Sequence, residues 1–135
     1  MAIYLNRHLQ RRIGLKPRQI ETQEQAEVAR WLIGNDVFFT ASANGARTSM
    51  IQAVKLKRLG CRAGVPDLFI FEPRGAYHGL FVEMKRPKIE GVCAQGAVSK
   101  DQKDFIAEAE KRGYKAIVCY GAEQAIEAIK AYLML

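Results

Sequence analysis

The sequence predicts an α/β fold in which a mixed central sheet is flanked by helices. The first observation behind this prediction is the order of the expected elements: helix, strand, helix, two strands, helix, strand and helix. Chains with this interleaving bury one face of each helix against a sheet. The second is that the chain has 135 residues, of which 49% are hydrophobic, enough for one domain with a single core. The third is that no repeat and no long linker divides it.

Local signals predict three elements before residue 61. β-branched and aromatic residues favour a strand, and an Asn-Gly pair after them indicates a turn. Helices are recognised by a hydroxyl residue before an apolar periodic stretch and by a glycine after it. The predicted elements are a helix at about residues 22–33 capped by Thr22, a strand at residues 37–41, and a helix from Ser49 to Gly60.

The second half of the chain contains two apolar runs, at residues 68–71 and 79–85, that are predicted to pair as a hairpin across residues 73–78. Ser99 and Gln102 form a capping-box pattern that opens the next helix. A strand at residues 115–120 and an amphipathic helix at residues 122–133 complete the fold. The small, glycine-rich residues 88–98 are predicted to form a mobile loop.

The charge balance indicates a polyanionic partner. The chain has 21 Lys and Arg against 14 Asp and Glu, a formal net charge of +7, which is typical of proteins that bind nucleic acid. Residues 1–20 carry five basic residues and no acid, and are interpreted as a basic N-terminal arm before a domain at residues 21–135. The alternative is a solvated surface that only keeps the protein soluble.

Several other classes of protein are disfavoured. No apolar run reaches the roughly 20 residues that a membrane span needs, and no apolar stretch near the N-terminus resembles a signal peptide, so a cytoplasmic protein is expected. The three cysteines have irregular spacing that fits neither a disulfide framework nor a structural zinc site. Cys119 is expected to lie buried in a strand.

One constellation of charged residues is not explained by packing. Asp67 stands at the start of an apolar strand, and Glu83 and Lys85 interrupt another, two residues apart and so on one face. If the strands are neighbours, two carboxylates and an ammonium group converge. Carboxylates are suitable ligands for Mg²⁺, which supports phosphodiester hydrolysis, while the lysine can orient water or stabilise negative charge. The alternative is a surface ion pair beside a turn residue.

At this point the sequence resembles the virus-type replication-repair nuclease domain, VRR-NUC, of the PD-(D/E)xK restriction-endonuclease-like group. The resemblance covers about residues 20–133. It is carried by Gly64-Val65-Pro66-Asp67-Leu68, Gly79-Leu80-Phe81-Val82-Glu83-Met84-Lys85, Ser99-x-x-Gln102, Gly113-Tyr114 and Val118-Cys119-Tyr120-Gly121. Upstream, the spacing of Glu21, Gln25 and Trp31 is similar to that of the family's first helix.

The resemblance implies a restriction-endonuclease-like fold and a nuclease that needs Mg²⁺ or Mn²⁺. It implies Asp67 and Glu83 as metal ligands, with the Met84 carbonyl as a third, and Lys85 as the catalytic lysine. Glu21 is implied as an accessory acid, for which Glu24 is the alternative. Gln102 matches an active-site glutamine, and the alternative is that it only caps its helix.

The function expected from this resemblance is that of a structure-directed DNA endonuclease from a phage or prophage in a bacterial host. The compact members of the family resemble Holliday-junction resolvases, which implies a homodimer. A flap or nicking nuclease and an inactive DNA-binding module are the alternatives. The residues expected to contact DNA are Asn44, Arg47, Lys55, Arg58, Arg62 and Arg86, although Asn44-Gly45 also fits a plain turn.

Overall fold

The computed structural model describes residues 14–43 and 49–135, within which the chain folds in the predicted order of helices and strands. The elements are α1 (Pro17–Gly34), β1 (Phe39–Ala41), α2 (Met50–Arg58), β2 (Leu68–Ile70), β3 (Leu80–Lys85), α3 (Lys100–Lys111), β4 (Lys115–Tyr120) and α4 (Ala122–Leu133). The predicted α/β fold is therefore confirmed. Among the described residues, no helix combines the length and the apolar character that crossing a bilayer requires.

The four strands form one mixed sheet in the order β1-β2-β3-β4. The pairs β1–β2 and β2–β3 are antiparallel, and the pair β3–β4 is parallel. The predicted hairpin between β2 and β3 is confirmed, and its turn contains a bridge between Arg74 and Tyr77. The chain crosses from β3 to β4 through α3, as a parallel pair requires. This arrangement is consistent with a restriction-endonuclease-like fold.

The two faces of the sheet carry different residues. On one face, α1 and α4 pack against the strands and enclose the main core. The core side chains are Val28, Leu32, Leu68, Ile70, Leu80, Val82, Met84, Cys119, Ala125, Ile129 and Tyr132. On the opposite face lies α3, where the rings of Phe81 and Phe105 are 5.4 Å apart between centroids. Because side chains alternate along a strand, Glu83 and Lys85 share the α3 face with Phe81.

Helix α1 begins earlier than the sequence predicted. Pro17 occupies its first turn, where a missing N–H and a fixed φ suit helix initiation. The Gln19 side chain accepts a hydrogen bond from the Lys16 N–H over 2.7 Å. Thr22 lies inside the helix, and its hydroxyl donates to the Arg18 carbonyl over 2.9 Å. The prediction that Thr22 caps the helix was therefore wrong.

The predicted basic arm at residues 1–20 is described only in part, because residues 1–13 lie outside the described residues. Residues 17–20 form the first turn of α1, and Ile20 is fully buried. The division of the chain into an arm at residues 1–20 and a nuclease domain at residues 21–135 stays a prediction.

The segment at residues 88–98, predicted to be a mobile loop, has a defined conformation. Ile89 pairs with Cys93 in an isolated β-bridge, and the Ile89 side chain is buried. The Arg86 guanidinium donates from Nε to the Ala94 carbonyl over 2.9 Å. No helix or strand lies in this segment, so the predicted loop is confirmed, and its mobility stays a prediction.

Helix α2 stands apart from the core. Ser49 caps it as predicted, accepting a hydrogen bond from the Gln52 N–H over 3.2 Å. None of the residues of α2 is buried, and Met50 and Ile51 are each 85% exposed. Helix α2 lies on the α3 side of the sheet, and an open space separates α2 from α3.

Candidate active site

The strand register brings the three charged residues of the constellation together. Leu68, the first residue of β2, pairs with Val82 of β3. In an antiparallel pair this register sets Asp67 opposite Glu83, and Lys85 follows on the same face. The Asp67 carbonyl also accepts a hydrogen bond from the Ser42 N–H over 2.8 Å. The end of β1 and the start of β2 thus lie at the same end of the sheet as the two charged residues of β3.

The Asp67 carboxylate is held in place by the backbone of β3. Its Oδ2 accepts a hydrogen bond from the Met84 N–H over 2.7 Å. Burial raises the pKa of Asp67 above its usual 3.8, although the Met84 N–H and the positive charge of Lys85 act in the opposite direction. One oxygen of the carboxylate is therefore fixed, which orients the other towards the space beside Glu83.

Glu83 and Lys85 form a buried ion pair. Lys85 Nζ lies 3.1 Å from Glu83 Oε1, and the two side chains are only 10% and 3% exposed. Burial and then the negative charge of Asp67 raise the pKa of Glu83 from 4.5 to about 7, while the contact with Lys85 lowers it. A buried pair of this kind costs much of its attraction in lost hydration, so its presence indicates a role other than stability.

Gln102 joins this pair to the start of α3. Its Nε2 donates to Glu83 Oε1 over 2.7 Å, while its Oε1 accepts from the Ser99 N–H over 2.8 Å. The Gln102 N–H in turn donates to Ser99 Oγ over 3.2 Å, which completes a capping box. The two interpretations of Gln102 as an active-site residue and as a helix cap are therefore compatible.

Gly64 also shapes the site, although the sequence did not identify it as a site residue. Its φ is +80°, a conformation that favours glycine. A Cβ at this position would collide with the backbone of Asp101 and with the N–H of Gln102. The loop before Asp67 thus packs directly on the first turn of α3, which holds Gln102 against Glu83. The collision involves segments that are distant in sequence, so the sequence alone did not indicate it.

The two candidate acids of α1 lie in different environments. Glu21 is half-buried, and its negative charge is among the causes that raise the pKa of Glu83, so it lies close enough to act on the cluster electrostatically. Glu24 is 2% exposed, and its Oε2 accepts from the N–H of Ala122 over 2.7 Å. This carboxylate lies at the N-terminus of α4, where the helix dipole favours a negative charge. The geometry favours Glu21 as the accessory acid.

The residues expected to contact DNA are distributed unevenly around the cluster. Lys55 and Arg58 lie in the last turn of α2 and are exposed, and Arg62 is exposed in the loop that follows. Arg86 is half-buried and engaged with the turn at residues 93–96. The predictions for Asn44 and Arg47 fall outside the described residues.

The carboxylates suit a hard divalent cation, and one atom in particular supports this. Glu83 Oε2 is buried and has no hydrogen-bond partner among the described residues, an unsatisfied state that costs free energy unless a ligand relieves it. The Met84 carbonyl faces the same side as the Met84 N–H bound to Asp67, because both groups of a strand residue point the same way. The described residues include no group of three His, Cys, Asp or Glu placed as a metal cluster. Two carboxylates, a carbonyl and water fit Mg²⁺, which usually keeps several waters.

Comparisons with known proteins agree on one family. The sequence profile of the VRR-NUC domain matches residues 19–123. A solved structure described as a VRR_NUC domain protein is 31% identical to this chain, with a TM-score of 0.67, and the match covers 85% of this chain and 88% of the other. A search among curated proteins gives no match. The profile match includes Glu21, Asp67, Glu83, Lys85 and Gln102, so the whole cluster lies within it.

Proposed function

The chain belongs to the VRR-NUC domain family, a family of nuclease type, and from this premise we propose that it is a metal-dependent, structure-directed DNA endonuclease. The action we propose resembles that of a Holliday-junction resolvase. The single observation that carries the proposal is the buried cluster of Asp67, Glu83 and Lys85, closed by Gln102. Burial of the charged pair Glu83 and Lys85 beside the half-buried Asp67 costs hydration, and such clusters of perturbed charged groups are typical of functional sites.

The residues of the cluster have separable tasks in this proposal. Asp67 and Glu83, with the Met84 carbonyl, would hold Mg²⁺ or Mn²⁺. When bound, such an ion supplies an acidified water and positive charge beside the phosphate. Glu21 contributes a further carboxylate beside the ion.

Lys85 and Gln102 act on this arrangement from the α3 side. The Lys85 ammonium, 3.1 Å from Glu83 Oε1, can stabilise negative charge that develops on the phosphate or orient the attacking water. Gln102 donates to that same oxygen, so Oε2 would be the Glu83 oxygen available to hold a metal ion. The orientation of the Glu83 carboxylate thus depends on both neighbours.

The partner we propose is DNA, bound through the exposed cations of α2 and the loop after it. Lys55, Arg58 and Arg62 would contact phosphates, which position a nucleic acid without reading its sequence. Because a resolvase cuts two strands symmetrically, we propose a homodimer, the commonest symmetry of small oligomers. A cytoplasmic location in a bacterial host of a phage or prophage belongs to the same proposal.

An inactive DNA-binding module is the principal alternative of a different class. The buried carboxylates argue against it, since a module that only binds DNA gains nothing from two acids placed beside a phosphate path, where they repel it. A flap or nicking nuclease shares the same chemistry and differs in the shape of DNA that it accepts.

The experiment that tests this proposal compares cleavage of labelled four-way junction, flap and linear duplex DNA. Each substrate is incubated with Mg²⁺, with Mn²⁺ or with EDTA. We expect metal-dependent cutting that favours branched DNA, with paired symmetric cuts in the junction. Cutting of the flap alone would favour the flap nuclease, and DNA binding without cutting under every condition would contradict the proposed activity.

A further inference from the structure

A groove of about 880 Å³ lies between α2 and α3. Its floor is formed by three aromatic side chains, Phe81, Phe105 and Tyr114, of which none is fully buried. Helix α2 contributes Leu56 and Lys57 to one wall. The volume falls in the range of about 300–1,000 Å³ that is typical of small-ligand pockets, which suits a few nucleotides of one strand.

The groove lies beside the cluster of Asp67, Glu83, Lys85 and Gln102. Phe81 lies two residues before Glu83 on the same face of β3, so its ring is next to the buried carboxylate along the strand. Asp101, at the other boundary of the floor, precedes Gln102, the residue bound to Glu83. The Gly64 loop, which packs on the backbone of Asp101 and Gln102, stands between the groove and the cluster. A strand in the groove would therefore pass over this loop to reach Glu83.

The aromatic floor is suited to bases. The ring centroid of Phe81 lies 5.4 Å from that of Phe105 and 5.6 Å from that of Tyr114, with interplanar angles of 81° and 60° respectively. One face of Phe81 is covered by Phe69, with ring centroids 4.4 Å apart and an interplanar angle of 20°. A base would therefore stack on the half-buried rings of Phe105 and Tyr114. Base–aromatic stacking is independent of sequence and contributes about 1–3 kcal/mol per base.

The two walls of the groove differ in charge. Residues 37–66 contain no Asp or Glu, and Lys57 and Arg62 from this segment line the groove. On the α3 wall, Asp104 is paired with Lys100 over 2.6 Å and Glu108 with Arg112 over 2.6 Å, and Asp101 is a third, exposed acid. A nucleic-acid backbone is therefore attracted to the α2 wall, which leaves the bases directed to the aromatic floor.

We propose that this groove binds unpaired nucleotides of one DNA strand next to the phosphodiester bond that is cleaved. The phosphates lie along Lys57 and Arg62, and the bases stack on Phe105 and Tyr114. The inference rests on the proposed nuclease function and assigns the place on the protein where unstacked nucleotides of its DNA substrate are held.

Binding of the wild-type protein in EDTA tests this inference without cleavage. Three fluorescent DNAs of equal duplex length are compared: a plain duplex, a duplex with a short single-stranded branch, and the same branch made abasic. We expect the branch to tighten binding about tenfold, the equivalent of one stacked base, and the abasic branch to lose most of that gain. Equal affinities for the normal and abasic branches would overturn the proposal.

Variants locate the effect in the groove. Arg62→Ala should reduce the gain from the branch, whereas Arg30→Ala, which removes an exposed arginine from α1 on the opposite side of the sheet, should leave it unchanged. Phe105→Leu should reduce the gain as well, with Phe38→Ala as a control, since Phe38 is 70% exposed and outside the groove. Equal losses in Arg62→Ala and Arg30→Ala would contradict the location.

The same substrates separate the failure of this inference from the failure of the proposed function. If the wild-type protein cuts DNA with Mg²⁺ but the branch gives no gain in affinity, the groove assignment is wrong and the nuclease assignment stands. If the branch and its bases tighten binding but no DNA is cut, the groove assignment stands and the nuclease assignment is wrong.

Discussion

Gln102 and Glu83 are joined by a hydrogen bond of 2.7 Å that connects a helix cap to a buried carboxylate. The other end of the same amide accepts from the Ser99 N–H. One side chain therefore fixes the first turn of α3 and selects which Glu83 oxygen is left without a partner. The stability of the helix start and the geometry of the cluster are coupled through this residue, and the coupling can be separated by mutation.

We expect Gln102→Ala and Ser99→Ala to have different effects on activity. Both remove part of the capping box and should lower stability by about 1 kcal/mol, measured by denaturant unfolding. Only Gln102→Ala also removes the donor to Glu83, and since a hydrogen bond to a charged group contributes about 1.5–3 kcal/mol, it should slow single-turnover cleavage at least about tenfold. If the two variants cut equally fast, Gln102 acts only as a cap.

A second prediction separates the two acids of α1. Glu21→Ala should reduce the cleavage rate with little change in melting temperature, because Glu21 is half-buried and lies close enough to act on Glu83 electrostatically. Glu24→Ala should lower stability by about 2 kcal/mol, because it removes a buried acceptor from the first turn of α4. Thermal unfolding and cleavage of both variants provide the comparison. The reverse pattern would make Glu24 the accessory acid.

The parts of the fold that depend on local sequence were predictable. The capping box of Ser99 and Gln102 lies within four residues, and the turn at residues 73–78 sets the register that brings Asp67 opposite Glu83. The choice between Glu21 and Glu24 was not predictable. They are three residues apart on one helix face, and the contact that distinguishes them involves Ala122, 98 positions along the chain.

Other wrong predictions also arose because contacts with distant parts of the chain, or competing local signals, decided the outcome. Thr22 has a side chain suited to capping a helix, but Pro17 and Gln19 begin the helix earlier. The sequence alone does not show which of several possible start signals begins a helix. The apolar residues of α2 suggested a helix packed on the core, whereas Met50 and Ile51 are exposed. Which apolar face finds a partner is decided by the arrangement of distant elements, so the groove between α2 and α3 was not foreseen.

The pKa of Glu83 makes the stability of the metal-free protein depend on pH. Burial and Asp67 raise this pKa from 4.5 to about 7. Between these two pH values, Glu83 therefore binds a proton in the folded protein but not in the unfolded chain. Stability therefore falls as pH rises from about 4.5 to about 7. Glu83→Gln removes this dependence, and should become more stable relative to wild type by up to about 3 kcal/mol between pH 5 and pH 8.

Denaturant unfolding of both proteins in EDTA at several pH values measures this difference. The control is Glu110→Gln, which removes an exposed carboxylate from α3 and should show a constant difference from wild type. A constant difference for Glu83→Gln as well would mean that the carboxylate of Glu83 is not perturbed by its surroundings.

The proposed phosphate contacts predict a salt dependence of DNA binding. Lys55→Ala and Arg58→Ala should each lower the slope of log affinity against log salt by about 1, because each contact releases about one counterion. Deletion of residues 1–13 should lower it further, and it must not extend to residue 20, since Ile20 is in the core. Lys130→Ala, on α4, is the control. Slopes unchanged in the first three variants would exclude these residues as contacts.

The measurement that tests the central claim most directly is cleavage of branched DNA by wild-type protein and Asp67→Asn, with Mg²⁺ and with EDTA. Asparagine keeps the size of the side chain and an oxygen to accept from Met84, so folding should be retained. We predict metal-dependent cleavage by the wild type and a loss of at least about a hundredfold in the variant, with DNA binding equal or tighter because a repelling charge is gone. Equal cleavage by the two proteins would contradict the assignment of Asp67, and with it the active site described for this chain.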